Sequence, residues 1–589
     1  MVENGDLIVS YLERLGIEYV FGVPGGSIEP LYNALARSAR RGGPRAVLAR
    51  HETGAAFMAD GYARATGKLG VVCSTSGPGA TNLLTGVANA FADEIPLLVI
   101  SGQPSIERFG LGAFQEGSCT GINTVSMFDS CTRYNTLVSH PAQLEAKLVQ
   151  AISFAKSRHP GPVHLSVPLD IMKAKVKAPD TQIGMRAFIN HDIMPSREGQ
   201  ELVLSRLAKA KKVTLVIGHG CANDMDDILA MAEAKRWLLV TTPMAKGLVP
   251  NSHPLYRGVF GLGGHESARM ALLEKSAEHV VVIGSALDEV TTGGWDEKAI
   301  FSNRLIHISD NPEHLCRSIM ARLSVLGSPS SIVRAFLEQH CDLNRTSKIN
   351  QSLDTHGFHS YINYRDRDAC LDMGAPVKPQ SLFWHMSQWV PEGTQALMDT
   401  GNSFLWGVHY WQSRQHSDCR KKLFHIGMGF ASMGWAIGSA IGMAFADPEK
   451  PVVCFTGDGS LLMSGQEITV AQEHSLNIVF VILNDAHLGM IKHGQALGGA
   501  ENIANNLPQV DFAMMAKSMG VHAYTVDSME ELQHLDVNSL FQRRGPVLLD
   551  VHVDAQQVPP MSSRVKVLRQ TEEPVAFTHK ASQVVRKVV

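Results

Sequence analysis

Residues 451–490 read PVVCFTGDGSLLMSGQEITVAQEHSLNIVFVILNDAHLGM. An apolar run at 452–455 leads into Gly457-Asp458-Gly459-Ser460, a helix-like stretch follows, and a second run at 478–483 ends in Asn484-Asp485. Both runs are continuously apolar rather than alternating, as in parallel strands covered on both faces. Asp458 and Asp485 stand 27 residues apart. In a strand–helix–strand unit that spacing returns both strand ends to one carboxyl edge, where open α/β sheets bind ligands. Two hard oxygen donors beside glycine amides and a helix N-terminus predict a site for Mg²⁺ and a diphosphate. Glycine belongs where backbone must approach phosphate oxygens closely. A plain turn with a strand-end cap would use the same residues; the spacing favours the ligand site.

Outward from this unit the same rhythm repeats. Apolar runs recur at 396–398 and 547–551, at 213–217, 280–283 and 305–308, and at 19–23, 46–49, 70–74, 96–101 and 163–167. Helix-like stretches such as 52–66 and 80–91 lie between them. The fold class is therefore α/β, with three open parallel-sheet α/β domains. Shifts in composition place them at 1–175, 190–340 and 378–565, with a polar linker at 341–377 and a C-terminal tail at 566–589.

Composition narrows the function. The 589 residues are 44% hydrophobic and 19% charged, enough for large cores and against global disorder. Fifty-three basic residues against 56 acidic ones leave a formal charge of −3, which gives no footprint for nucleic acid. No run of about 18 apolar residues predicts a membrane span. The opening MVENGDLIVSYLERLG reads as a first helix, not a signal peptide. Nine cysteines with no CxxC pair argue against a disulfide framework or structural zinc and for a reducing, cytoplasmic setting.

The 451–490 segment resembles the GDG-to-Asn cofactor motif of thiamine-diphosphate enzymes, and this resemblance implies the site. That motif usually ends Asn-Asn; here Asp485 takes the metal position beside Asp458, with the backbone carbonyl of His487 as third ligand. Gly457, Gly459, Ser460 and Met490 belong to the same cofactor-binding stretch. Residues 49–64 (ARHETGAAFMADGYAR) resemble the surroundings of the family's glutamate. Glu52 is thus the acid that touches N1′ of the aminopyrimidine. Ser76-Gly77-Pro78-Gly79-Ala80-Thr81-Asn82 is similar to the pyrimidine loop, through Pro78 and Asn82. In Val23-Pro24-Gly25-Gly26-Ser27 the amide of Gly26 is placed to face a substrate oxyanion. Thr400-Gly401-Asn402-Ser403 is matched to a diphosphate loop through Gly401, Asn402 and Ser403. Met433, before Gly434-Trp435, is matched to the residue that wedges the cofactor rings into a V.

Across about 6–561 the chain most resembles acetolactate (acetohydroxyacid) synthases. The signature stretches are FGVPGGSIEPLYNAL, RHETGAAFMADGYARATGK, STSGPGATNLLTG, GAFQEG, GPVHLSVPLDI and the PPM near 560. Gln115 matches the glutamine that approaches C2 in the synthases. Arg133 replaces a lysine near their active site, and Gly494 replaces a tryptophan of the anabolic acceptor pocket. Ile283-Gly284-Ser285 and Ile308-Ser309-Asp310 are kept, but the Gly-Ala-Arg of FAD-containing synthases is missing, so FAD stays undecided. The implied activity is decarboxylation of a 2-oxo acid such as pyruvate, then ligation to a second carbonyl compound. The implied assembly is a homodimer or homotetramer with active sites between subunits. A non-oxidative 2-oxo acid decarboxylase or hydroxy-ketone lyase would use the same cofactor. A Rossmann-type dehydrogenase is the distant alternative, since Gly218-His219-Gly220 begins GxGxxG but Asn223 ends it.

Overall fold

The computed structural model describes residues 1–177, 193–341, 361–414 and 422–570. Its first unit runs β1 (Val2–Glu3), β2 (Tyr19–Val23), β3 (Arg45–Leu48), β4 (Gly70–Ser74), β5 (Leu97–Gln103), β6 (Tyr134–Leu137), β7 (Val163–Pro168) and β8 (Lys175–Val176). The six inner members form a sheet in the order β3-β2-β4-β5-β7-β6, while β1 and β8 pair antiparallel and tie the ends of the unit together. The middle unit holds β9 (Val213–Ile217), β10 (Leu238–Thr241), β11 (Tyr256–Val259), β12 (His279–Ile283), β13 (Leu305–Ser309) and β14 (Leu323–Leu326), ordered β11-β10-β9-β12-β13-β14. The last holds β15 (Gln395–Met398), β16 (Phe424–Ile426), β17 (Val452–Gly457), β18 (Ile478–Asn484), β19 (His522–Val526) and β20 (Val547–His552), ordered β16-β15-β17-β18-β20-β19.

All pairs within the three six-stranded sheets are parallel. The expected fold class, three parallel-sheet α/β domains, is what the chain forms. Central strands such as β5 and β18 are buried at every residue, which is why their sequences are unbroken apolar runs. In each sheet the chain winds outward in opposite directions from one central pair, β2 and β4, β9 and β12, or β15 and β17. Those switch points are where a doubly wound sheet opens a crevice at its carboxyl edge.

The first and third units share one core. The helix Glu52–Thr66 packs on the helix Trp435–Ala446 through glycines: a Cβ on Gly61 would lie 2.0 Å from Ser439 O, and one on Gly442 1.9 Å from Met58 O. Only residues without a side chain let these backbones approach so closely. The polar linker expected at 341–377 falls partly outside the described residues; its described part carries the buried Ile362, Tyr364, Cys370 and Val377. The expected tail starts inside a helix, Ser562–Gln570, and its remainder lies outside the described residues.

Candidate active site

The switch point between β15 and β17 opens into a cavity of about 250 Å³. Thr400, Gly401, Asn402 and Ser403 line it after β15, and Gly457, Asp458, Gly459 and Ser460 after β17. Asp485 and His487 join from the end of β18, Met490 from the helix Gly489–Gly498, and Met433 from the loop before Trp435. All the residues matched to the diphosphate, the metal and the ring wedge therefore face one cavity.

Its chemistry fits a diphosphate with a divalent cation. Asp458 accepts from the amides of Gly459 at 2.6 Å and His487 at 3.3 Å, and Asp485 accepts from His487 N at 3.1 Å. Burial, with the charge of Asp485, pushes Asp458 up to about 7, and burial also raises Asp485. A buried and a half-buried carboxyl crowded in this way favour a bound cation that neutralises both. Among the described residues no three His, Cys, Asp or Glu side chains converge, so a cation here relies on two carboxylates plus backbone and ligand oxygens. Thr400 Oγ1, Asn402 Oδ1 and Ser460 Oγ are buried without a hydrogen-bond partner, and buried polar atoms of that kind call for a ligand. Gly401, at φ +126°, and Gly457 leave open space where a Cβ would stand. Asn484 turns away from the cavity to Val510 O at 3.1 Å and Asp550 at 2.9 Å. The carboxylate facing the cavity is thus Asp485.

The residues expected from the first unit gather at the other switch point, between β2 and β4. Asn82 Nδ2 donates to Glu52 at 3.0 Å, and Glu52 is 9% exposed. Ser76 N donates to Ser27 Oγ at 3.0 Å, which holds the Gly26 turn beside the Pro78 loop. Gln115, at φ +56°, packs on Gly77, whose added Cβ would lie 3.0 Å from that of Gln115. Gly26, Glu52, Pro78, Asn82 and Gln115 are therefore one cluster, but none of them lines the cavity of the third unit. Within a single chain the two groups stay apart.

The sequence departures also have places. A Cβ on Gly494 would meet only Met561 Cε, at 3.9 Å. Arg133 lies over the Phe91 ring and 3.4 Å from Glu313, at the seam with the middle unit. In that unit the crevice between β9 and β12 is bridged by its own backbone: Gly218 N donates to Ile283 O at 2.8 Å and Gly220 N to Gly284 O at 3.1 Å.

Sequence reasoning missed the groups that hold these loops. Asp399, fully buried after β15, accepts from Gly434 N at 3.0 Å, Ala436 N at 3.3 Å and Thr456 Oγ1 at 2.7 Å. Asp93 accepts from Gly429 N at 2.7 Å and from Arg64 at 2.7 Å. The loop carrying Met433 is thereby pinned to both units. An aspartate directly after a short apolar run was the one local signal for Asp399; Asp93 gave none. Trp406 and Gln557 also line the cavity.

Three open parallel sheets with a diphosphate-type cradle define a thiamine-diphosphate enzyme, and the chain belongs to that family. The thiamine pyrophosphate enzyme N-terminal TPP binding domain matches residues 2–123, the central domain 201–336 and the C-terminal TPP binding domain 399–551. The chain is similar to acetolactate synthase of Arthrospira platensis, at 30% identity over 93% of either chain. It is also similar to the acetolactate synthase isozyme 3 large subunit of Escherichia coli, at 31% identity over 96% of this chain and 97% of that one. The X-ray structure of a candidate thiamin diphosphate-dependent enzyme from Mycobacterium smegmatis has the same fold, with a TM-score of 0.77 at 23% identity over 94% and 99% of the chains. No helix among the described residues is long and apolar enough to cross a membrane.

Proposed function

We propose that the chain is an acetolactate-synthase-like enzyme that decarboxylates a 2-oxo acid, pyruvate first, and ligates the remaining fragment to a second carbonyl compound. The observation that carries this reading is the cavity at the β15–β17 switch point, with its orphaned Thr400, Asn402 and Ser460 oxygens beside Asp458 and Asp485. Similarity to acetolactate synthases over nearly the whole chain supports the choice of reaction.

Thiamine diphosphate, when bound, supplies a nucleophilic carbon and an electron sink for decarboxylation. Asp458 and Asp485 hold Mg²⁺ with the His487 carbonyl, while Asn402, Ser403 and Ser460 bond the diphosphate. Met433, whose Cε would stand 3.4 Å from a Cβ on Gly459, shapes the space above the cradle. Glu52, oriented by Asn82, exchanges a proton with N1′ of the pyrimidine. The Gly26 amide faces the substrate oxygen, and Gln115 closes the reacting centre against water. Decarboxylation with carboligation is redox-neutral, so FAD has no electrons to carry in it. Because the two residue clusters share no cavity within one chain, a second copy completes each site. Exposed Leu111 and Phe114 on the first unit, and Phe430 and Met463 on the third, are apolar surface for that contact.

Product analysis after incubation with pyruvate, thiamine diphosphate and Mg²⁺ tests the proposal. A 2-hydroxy ketone or 2-acetolactate with CO₂ supports it. Free acetaldehyde alone would hand the site to the decarboxylase reading, and saturable NAD binding to the dehydrogenase one.

A further inference from the structure

Glu467 ends the short 3₁₀ turn Gly465–Glu467 that continues the helix Asp458–Ser464, and it is fully buried. It crosses from the third unit into the first. Its Oε2 accepts from Arg50 N at 3.1 Å. Its Oε1 is buried with no partner. The backbone opposite is glycine for a reason: a Cβ on Gly54 would lie 2.4 Å from Glu467 Cδ. Residues 50 and 51 are the last before the helix that starts at Glu52, so this carboxyl grips the turn that presents Glu52.

We propose that Glu467 is a positioning residue for Glu52: it fixes the backbone of residues 50–52 and couples its own proton to that of the catalytic acid. The assignment rests on Glu52 being the cofactor-facing acid. The charged groups around Glu467 are Arg50, which pairs with Glu473 at 2.6 Å, together with His51 and Glu52. Burial first, with a contribution from the charge of Glu52, pushes Glu467 up from 4.5 to about 7. A raised carboxyl binds more protons folded than unfolded, so it stabilises the fold at low pH. That contribution is lost as pH rises from about 4.5 through about 7.

The test uses the full chain loaded with thiamine diphosphate and Mg²⁺. Glu467→Gln keeps an oxygen for the Arg50 amide and loses the proton; Glu467→Asp keeps the proton and falls short of that amide. Deuterium exchange at C2 of the bound cofactor, followed by NMR against pH, should slow about tenfold or more in Glu467→Asp. In Glu467→Gln its pH profile should move by about half a unit or more. The unfolding midpoint of wild type relative to Glu467→Gln should fall between pH 4.5 and 7, a readout independent of turnover. Should the Gln variant not fold, Gly54→Ala displaces the carboxyl with its charge kept and should slow exchange in the same way. Wild-type exchange and an unmoved profile in both Glu467 variants would reduce this side chain to packing and overturn the proposal. A failure of pyruvate turnover in wild type would instead overturn the reaction, since C2 exchange needs no substrate.

Discussion

Asp485 and Asp511 look alike in sequence, and their surroundings separate them. Asp485 faces the cavity with Asp458, while Asp511 caps the helix Phe512–Ser518 by accepting from Met514 N at 2.7 Å. Asp485→Ala should weaken Mg²⁺ and thiamine diphosphate together, by more than the roughly 10- to 100-fold that loss of an outer-shell partner costs. Asp511→Ala should leave both affinities alone and cost about 1 kcal/mol of stability through the lost cap. Calorimetric titration and denaturant unfolding read the two effects apart. Glu52→Gln keeps the contact with Asn82 but cannot act as an acid, so C2 exchange should slow about 100-fold or more while cofactor affinity holds. At this scale the sequence was informative where chemistry repeats in a motif. Asp458 and Asp485 were found because they follow two apolar runs and stand 27 residues apart, and Asn402 because its loop resembles the family's diphosphate loop. Asp93 and Glu467 were missed because their partners Gly429 and Arg50 lie across the boundary between the first and third units, and Asp399 because its partners Gly434 and Thr456 lie far along the chain, which no local pattern records.

Elements were legible in proportion to their burial. β2, β4 and β9 coincide with the runs read at 19–23, 70–74 and 213–217, and the helix Glu52–Thr66 with the stretch 52–66. The strands not foreseen are β1, β6, β8, β10, β11, β14, β16 and β19, and all but β10 lie at sheet edges. An edge strand is covered on fewer sides and carries mixed residues, as in β6, where every residue is half-buried. Packing between helices supplies a prediction of its own. Gly442→Ala places a methyl 1.9 Å from Met58 O, and such overpacking should cost about 1–3 kcal/mol. Gly498→Ala, with nothing within 4 Å, should be neutral or slightly stabilising. Urea unfolding compares them; equal midpoints would mean the two helices can slide apart freely. On the helix Gly489–Gly498, a Cβ on Gly494 meets nothing nearer than Met561 Cε at 3.9 Å, so a tryptophan can start there without a clash. Burying an indole there should add apolar contact worth about 1.5–3 kcal/mol and narrow acceptor choice about tenfold. Product ratios from paired 2-oxo acid acceptors measure that, and unchanged ratios would remove Gly494 from the acceptor site.

At the scale of the molecule, the proposed site residues of one chain fall into two clusters that do not share a cavity. Glu52 and Asn82 sit at the β2–β4 switch point, Asp458 and Asp485 at the β15–β17 one. The first and third units share a core in which the helices Glu52–Thr66 and Trp435–Ala446 approach closely at Gly61 and Gly442. If a second copy brings the halves together, each site takes Glu52 from one chain and Asp458 from the other. Two inactive variants then become complementary. Glu52→Gln and Asp458→Ala, each tagged differently and co-expressed, give hetero-oligomers in which one site carries both lesions and the other carries neither. Tandem purification should recover about half the wild-type activity per two-fold dimer from chains that are each inactive alone. Dilution should lower that activity as the dimer dissociates, and crosslinking should preserve it. Complete inactivity of the purified hetero-oligomer, with cofactor bound, would place both halves of every site in the same chain and require the first unit to swing onto the third.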